Sequence, residues 1–245
     1  MKNILVTLFI FIGGIVVQAQ NTIMIFEDKS VSVSSNRNSE ESKYKNKLLK
    51  RACSGESAEV IVRFLSENTA SISGGKKFSY KAPSFNASYY SADELPMQQQ
   101  LFKGKQRRSR KRFAKKVITF MNAYTSSAKW TEILAAIVPI SRNSNPNKQI
   151  FFFTDGIESS RFRQIDKHPL ISDRDAKYAA LVDVKNLRKK YQLPQKLSGV
   201  DKVEFVFPLD MGISEKKRTS QSFLEIYWRT VFAEFGVYNL KFKTP

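Results

Sequence analysis

Residues Thr22 to Phe26 read TIMIF and are followed by Glu27 and Asp28, while Gln149 to Thr154 read QIFFFT and are followed by Asp155 and Gly156. Each stretch is a short, unbroken apolar run that stops on an acid. A strand buried on both faces has this composition, because its side chains alternate between two faces and both must be apolar. Between and beyond these two runs, further strand-like stretches alternate with stretches of helical periodicity. This order predicts an α/β fold with a mainly parallel central sheet, helices on both of its faces and one antiparallel edge strand.

Working outward from the first run, Tyr44, Leu48 and Ala52 recur at helical spacing before Gly55, which predicts a helix over about 42–53. Ala58 to Leu65 (AEVIVRFL) reads as a second strand, and 72–82, where Phe78 and Tyr80 alternate with polar neighbours, as the edge strand. Residues 83–96 read as a loop. A helix is expected over about 97–124, with Phe113, Val117, Phe120, Met121 and Tyr124 on one face. Thr131 to Ile140 reads as a short apolar helix, and Ala176 to Tyr191 as an amphipathic one with a basic last turn. Val203 to Phe207 is a further strand. Ser222 and Glu225 have the spacing of a capping box for a helix that Gly236 ends, and Tyr238, Leu240 and Phe242 alternate as a closing strand.

Composition narrows the function classes. The chain has 245 residues, with 41 Lys+Arg against 22 Asp+Glu, a formal charge of +19 and an apolar share of 42%. That apolar share excludes a disordered chain, and 10 Gly with 8 Pro exclude a collagen-like or low-complexity one. One cysteine, Cys53, and one histidine, His168, exclude an intrachain disulfide and a Cys/His zinc site. Lys2, the apolar run from Ile4 to Val17 and the small residues Val17 and Ala19 have the pattern of a secretory signal cleaved after Ala19. The expected organisation is therefore a signal at 1–19 and one domain at 20–245, secreted or periplasmic, with a basic insertion at about 83–112. No later segment is apolar enough over ~20 residues to span a bilayer.

The chemistry-bearing residues follow the two apolar runs. Asp28, Ser30 and Ser32 stand at alternate positions after the first, and Thr154-Asp155-Gly156 after the second. In parallel sheets ligands bind beyond the carboxyl ends of the strands, so these groups share one end. Carboxylate and hydroxyl oxygens suit a hard divalent cation such as Mg²⁺. Thr131, opening its helix, supplies a further hydroxyl.

These residues, in this order, resemble the metal-ion-dependent adhesion site of von Willebrand factor A domains. That site has an Asp-x-Ser-x-Ser after the first strand, a Thr opening a helix and an Asp-Gly after the fourth strand. Ile133, Ala136 and Ile137 extend the match around Thr131, and the resemblance covers roughly residues 22–242. Val31 and Trp130 depart from it, standing where the family often has Gly and a small residue. The resemblance implies one Mg²⁺, or Mn²⁺ or Ca²⁺, held by Asp28, Ser30, Ser32, Thr131 and Asp155. It further implies that an acidic side chain of a partner protein completes the coordination, and that the function is adhesion or protein–protein interaction rather than catalysis.

Two rival readings come from other classes. Asp28-Lys29-Ser30-Val31-Ser32 is also similar to the aspartyl nucleophile loop of haloacid-dehalogenase-like phosphohydrolases, with Asp28 as nucleophile. Their usual second acid is Ser30 here, and no late paired-acid segment is present. The other rival rests on charge. Lys103, Lys105, Arg107, Arg108, Arg110, Lys111, Arg112, Lys115 and Lys116 put nine cations in 14 residues without one acid. Such a run fits an anionic surface polymer or lipid headgroups, with nucleic acid ranked below them.

Overall fold

The computed structural model describes residues 21–29, 39–71, 75–125, 130–208 and 219–244. The signal-like segment, Ser30 and Ser32 lie outside the described residues. Six strands form one sheet in the order β3-β2-β1-β4-β5-β6, with β1 Asn21–Asp28, β2 Ser57–Leu65, β3 Gly75–Lys81, β4 Lys148–Phe153, β5 Val200–Val206 and β6 Leu240–Lys243. All neighbouring pairs are parallel except β2–β3. The helices are α1 Ser39–Ala52, α2 Leu95–Ala123, α3 Ile137–Arg142, α4 Asp173–Tyr191 and α5 Gln221–Glu234. This is the expected α/β class, with the antiparallel strand at one edge.

Two cores result from the alternation of side chains along the strands. Met24 and Phe26 of β1, Ile150 and Phe152 of β4, and Val203 and Phe205 of β5 pack with residues of α3, α4 and α5. Ile23, Ile25, Phe151 and Phe153 point the other way and pack with Leu49 of α1 and with Phe113, Val117 and Met121 of α2. On the first face an aromatic row crosses four strands. Phe26 stacks on Phe152 at 5.0 Å, Phe152 on Phe205 at 4.7 Å, and Phe205 on Phe242 at 5.4 Å. These four residues are register partners, so the row runs straight across the sheet.

Serine caps account for the starts of α4 and α5. Ser172 caps α4 by accepting from Asp175 N at 3.1 Å, and Asp173 and Asp175 at its start with Arg188, Lys189 and Lys190 at its end complement the helix dipole. Three expectations need correction. The cap of α5 is Ser220, whose Oγ accepts from Phe223 N, and Ser222 sits inside the helix bonded to the Ser220 hydroxyl. Two serines compete there, and the earlier one has the extended backbone that a cap requires. Second, the segment from Thr131 is not one helix. A 3-10 turn at Leu134–Ala136 precedes the six-residue α3. Third, Tyr238 lies before β6 and is exposed.

No helix among the described residues is long and apolar enough to cross a membrane. Phe152 is fully buried and touches Phe26, Phe205 and Phe232. Its replacement by Ala should lower unfolding stability by roughly 3–5 kcal/mol in a urea titration, the range for truncating a buried Phe. A loss below about 1 kcal/mol would show that the aromatic row does not hold the sheet together.

Candidate functional site

In the strand order β3-β2-β1-β4-β5-β6 the direction of winding reverses between β1 and β4, so a crevice opens there beyond their carboxyl ends. Asp28 is the last residue of β1, and Thr154 and Asp155 follow directly on β4. Because Phe26 and Phe152 are register partners, the positions two residues on, Asp28 and Thr154, come out level and on the same face. Thr154 Oγ1 accordingly donates to Asp28 Oδ2 at 2.9 Å. From the loop before α3, Thr131 Oγ1 donates to Asp28 Oδ1 at 3.4 Å. Asp28, Thr131, Thr154 and Asp155 are all buried.

The turn after β4 is fixed from below. Gly156 has φ +76°, and a Cβ there would meet Phe207 Cε1 at 2.9 Å, so only glycine fits. Trp228 Nε1 of α5 donates to the Gly156 carbonyl at 2.9 Å, and Ile157 N donates to Asp155 Oδ1 at 3.0 Å. Glu158 then ties this turn to the Thr131 loop. Its Oε2 accepts from Leu134 N at 2.8 Å, and Ser159 N donates to the Thr131 carbonyl at 3.0 Å. Further along, Arg163 forms a two-pronged ion pair with Asp183 of α4, at 2.6 and 3.2 Å, and Tyr227 of α5 donates to the same carboxylate at 2.8 Å. Two loops 20 or more residues apart in sequence are thereby held as one unit.

On the opposite face of β1, Glu27 is wholly buried. Lys29 and Lys45 approach it at 3.0 and 3.1 Å, and Lys45 also pairs with Glu41 in the first turns of α1. These contacts neutralise the acid next to Asp28 and clamp the start of α1 against the end of β1. A buried charge left unpaired would be strongly destabilising.

The geometry brings together Asp28, Thr131 and Asp155 as one end of the sheet, while Ser30 and Ser32 lie outside the described residues. Thr125, the other threonine of that loop, is exposed. Among the described residues no group of three or more His, Cys, Asp or Glu side chains is placed to hold a metal. An ion at this crevice would therefore be held by two carboxylates with hydroxyls, the oxygen-only donor set of a hard cation. The nine cations of the basic run all lie on α2. His168 lies in a surface loop. Cys53 is buried, and burial pushes its thiol up to about 12, so it stays a protonated, inert thiol.

Sequence reasoning named Thr154 beside Asp155 without giving it a role, and it missed Glu158 and Trp228. Thr154 was readable as the residue level with Asp28 only once the register of β1 on β4 was known. Glu158 and Trp228 act through the backbone of other loops, and no spacing rule announces that.

The fold is a mainly parallel α/β domain with a buried acid and two hydroxyls at the switch point of the sheet, the arrangement that the resemblance to von Willebrand factor A domains leads one to expect. No protein-family model and no curated protein matches the chain. Among solved structures it is similar to a von Willebrand factor type A protein from Catenulispora acidiphila, at 12% identity and a TM-score of 0.41 over 93% of this chain and 39% of that one. It is also similar to the manganese-loaded TRAP protein of Plasmodium vivax, at 12% identity and a TM-score of 0.40 over 92% of this chain and 69% of that one. A third similarity is to proximal thread matrix protein 1 of the mussel byssus, at 15% identity and a TM-score of 0.34 over 88% and 48%. The chain thus spans well under half the length of the first of these.

Burial raises Glu158 to about 8, with desolvation the largest cause and the hydrogen bonds from Ser160, Leu134 and Ile133 opposing it. A carboxyl whose folded value is raised binds more protons folded than unfolded, so stability falls as pH rises from the ordinary carboxyl range to about 8. Glu158→Gln keeps an acceptor for Leu134 N and removes the titration. Its melting temperature should exceed that of the wild type at pH 8 and converge with it at pH 4. Identical pH profiles for the two proteins would contradict the raised value.

Proposed function

We propose that this is a secreted or periplasmic adhesion or protein-interaction domain that works through one divalent cation, Mg²⁺ or its near equivalents Mn²⁺ and Ca²⁺. The cation sits on Asp28, Thr131 and Asp155, joined by Ser30 and Ser32. The observation that carries this reading is the convergence of Thr131 and Thr154 on the buried Asp28 carboxylate, at 3.4 and 2.9 Å, at the switch point of the sheet. Two threonine hydroxyls aimed at one carboxylate from two different loops mark a point where oxygen donors meet.

Each residue has its own task. Asp28 supplies charge from the end of a strand that is paired on both sides. Thr131 can turn its hydroxyl from Asp28 toward a cation, and its backbone is held by Ser159 N. Thr154, bonded to the other Asp28 oxygen and accepting from Gly156 N at 3.2 Å, orients the carboxylate. Asp155 contributes the second carboxylate while Ile157 N fixes its rotamer. A cation held largely by neutral hydroxyls keeps enough positive charge to attract a further carboxylate. A partner protein presenting an Asp or Glu side chain would supply it, so recognition of an acidic protein follows from the donor set, with no reaction step.

Thermal melting in Mg²⁺, in Mn²⁺ and with chelator tests this. At 100 times the dissociation constant a bound ion adds about 2.7 kcal/mol, which for a chain of this size raises Tm by roughly 5–10 °C. Asp28→Asn keeps an acceptor oxygen for one threonine and offers the other hydroxyl an amide N–H to accept from, and it should abolish the shift with the fold intact by circular dichroism. A wild type that melts identically with and without metal would refute the site. Metal-dependent hydrolysis of a phosphate ester, lost in Asp28→Asn, would instead establish the phosphohydrolase reading.

A further inference from the structure

The helix α2 carries nine Lys and Arg between Lys103 and Lys116 and no acid along its whole length. Among the described residues none of the nine is within ion-pair distance of a carboxylate, whereas Lys29, Lys45, Lys77, Arg163 and Lys202 elsewhere in the chain all are. The first part of α2 is also outside the core, since its buried residues begin only at Phe113. Arg110 donates to the Ser54 carbonyl, and among the described residues the cluster makes no ion pair that folding would require. Its like charges repel, and a bound polyanion would relieve that repulsion.

The cluster has a shape. Lys50 of α1 and Lys103, Arg107, Arg108, Arg110 and Lys111 of α2 line an open groove of about 740 Å³. Arg110 anchors it by donating to the Ser54 carbonyl at 3.2 Å, at the turn between α1 and β2. On another side of α2, Phe85 packs against Phe102 at 4.9 Å and Tyr90 at 5.5 Å, so residues 83–94 buttress the helix. Lys105, Arg112, Lys115 and Lys116 are not part of the groove wall.

We infer that this groove binds a linear sulfated polysaccharide. Guanidinium forks match the paired oxygens of a sulfate, and ammonium groups between them serve as point charges. Three alternatives fit less well. The groove itself is lined by no aromatic side chain, and Phe85, Tyr89, Tyr90 and Phe102 line a separate depression that shares only Arg108 with it. Bases of single-stranded nucleic acid therefore find no stacking platform within the groove. It is concave, and a flat bilayer reaches only the rim. With α1 on one side and residues 83–94 on another, α2 is also too broad for a DNA major groove about 12 Å wide that admits one bare helix.

The groove lies at the opposite end of the sheet from the switch-point crevice. Arg110 is beside Ser54, just before β2 begins, while Tyr124 stacks on Phe64 at 3.7 Å, where β2 ends. The helix between them is about 21 Å long at 1.5 Å per residue. Polysaccharide binding is therefore independent of any cation at Asp28.

The test is titration of the full chain with a heparin oligosaccharide at several salt concentrations, in chelator and in Mg²⁺. Affinity should fall steeply with salt and be the same in both. The triple variant Arg107→Gln, Arg108→Gln, Lys111→Gln and the single variant Lys50→Gln on the other wall should both weaken it. The triple change should cost at least about tenfold, the loss expected for two or three charge-assisted contacts. Lys177→Gln, Lys185→Gln, Lys189→Gln on α4 removes the same charge and should cost less than about twofold if placement rather than net charge matters. Equal losses in the two triple variants would overturn the groove. Tighter binding of single-stranded DNA or of phosphatidylserine vesicles would overturn the polysaccharide, and so would an affinity that needs Mg²⁺.

Discussion

The pairing of Phe26 with Phe152 is the contact on which the remaining geometry depends. Strand side chains repeat every two residues, so a slip of one position would turn Phe26 and Met24 to the wrong face and carry Asp28 away from Thr154. Stacked rings at 5.0 Å, continued to Phe205 and Phe242, make such a slip expensive because four aromatic side chains would lose their partners together. Register in the core and the meeting of oxygens at the crevice are therefore one constraint. The chemistry at the end of β1 is as well defined as the packing in its middle.

That rigidity extends through hydrogen bonds that involve no functional residue directly. Trp228 holds the Gly156 carbonyl, Glu158 holds the Leu134 amide, and Arg163 with Tyr227 holds Asp183. Each joins a loop at the crevice to a helix or loop that is itself buried. The crevice is made of loops, yet its backbone is tied at three points to elements whose side chains are in the core. Loops so constrained lose little entropy when they bind.

Much of this was legible in the sequence, for identifiable reasons. TIMIF and QIFFFT announced central strands because double-sided burial leaves no room for polar positions. The acids after them placed Asp28 and Asp155 at one end without any knowledge of packing. Thr131 was readable from the apolar residues behind it, and the alternation of Phe78 and Tyr80 marked the edge strand. The illegible parts are tertiary. Whether Ser220 or Ser222 caps α5 depends on backbone angles, and the 3-10 turn after Thr131 starts at Leu134, whose amide donates to Glu158 24 residues away. The basic run was plain as composition. That Lys50 joins it across a groove, while Lys115 and Lys116 do not, is a matter of how α1 and α2 lie together.

The position of β1 between β2 and β4 has a consequence for how the molecule is made. Thr154 reaches Asp28 across 126 residues of chain and Thr131 across 103, so the two hydroxyls are brought to the carboxylate by the most distant strand pairing in the sheet. Closing a loop of that length is entropically slow work that local helix formation does not hasten. During synthesis β1, β2 and β3 can associate early, but the crevice has no second wall until β4 has emerged and docked. A nascent or truncated chain displays Asp28 without its companions. The assembled crevice is thus a late product of folding and a direct report that the whole sheet has closed.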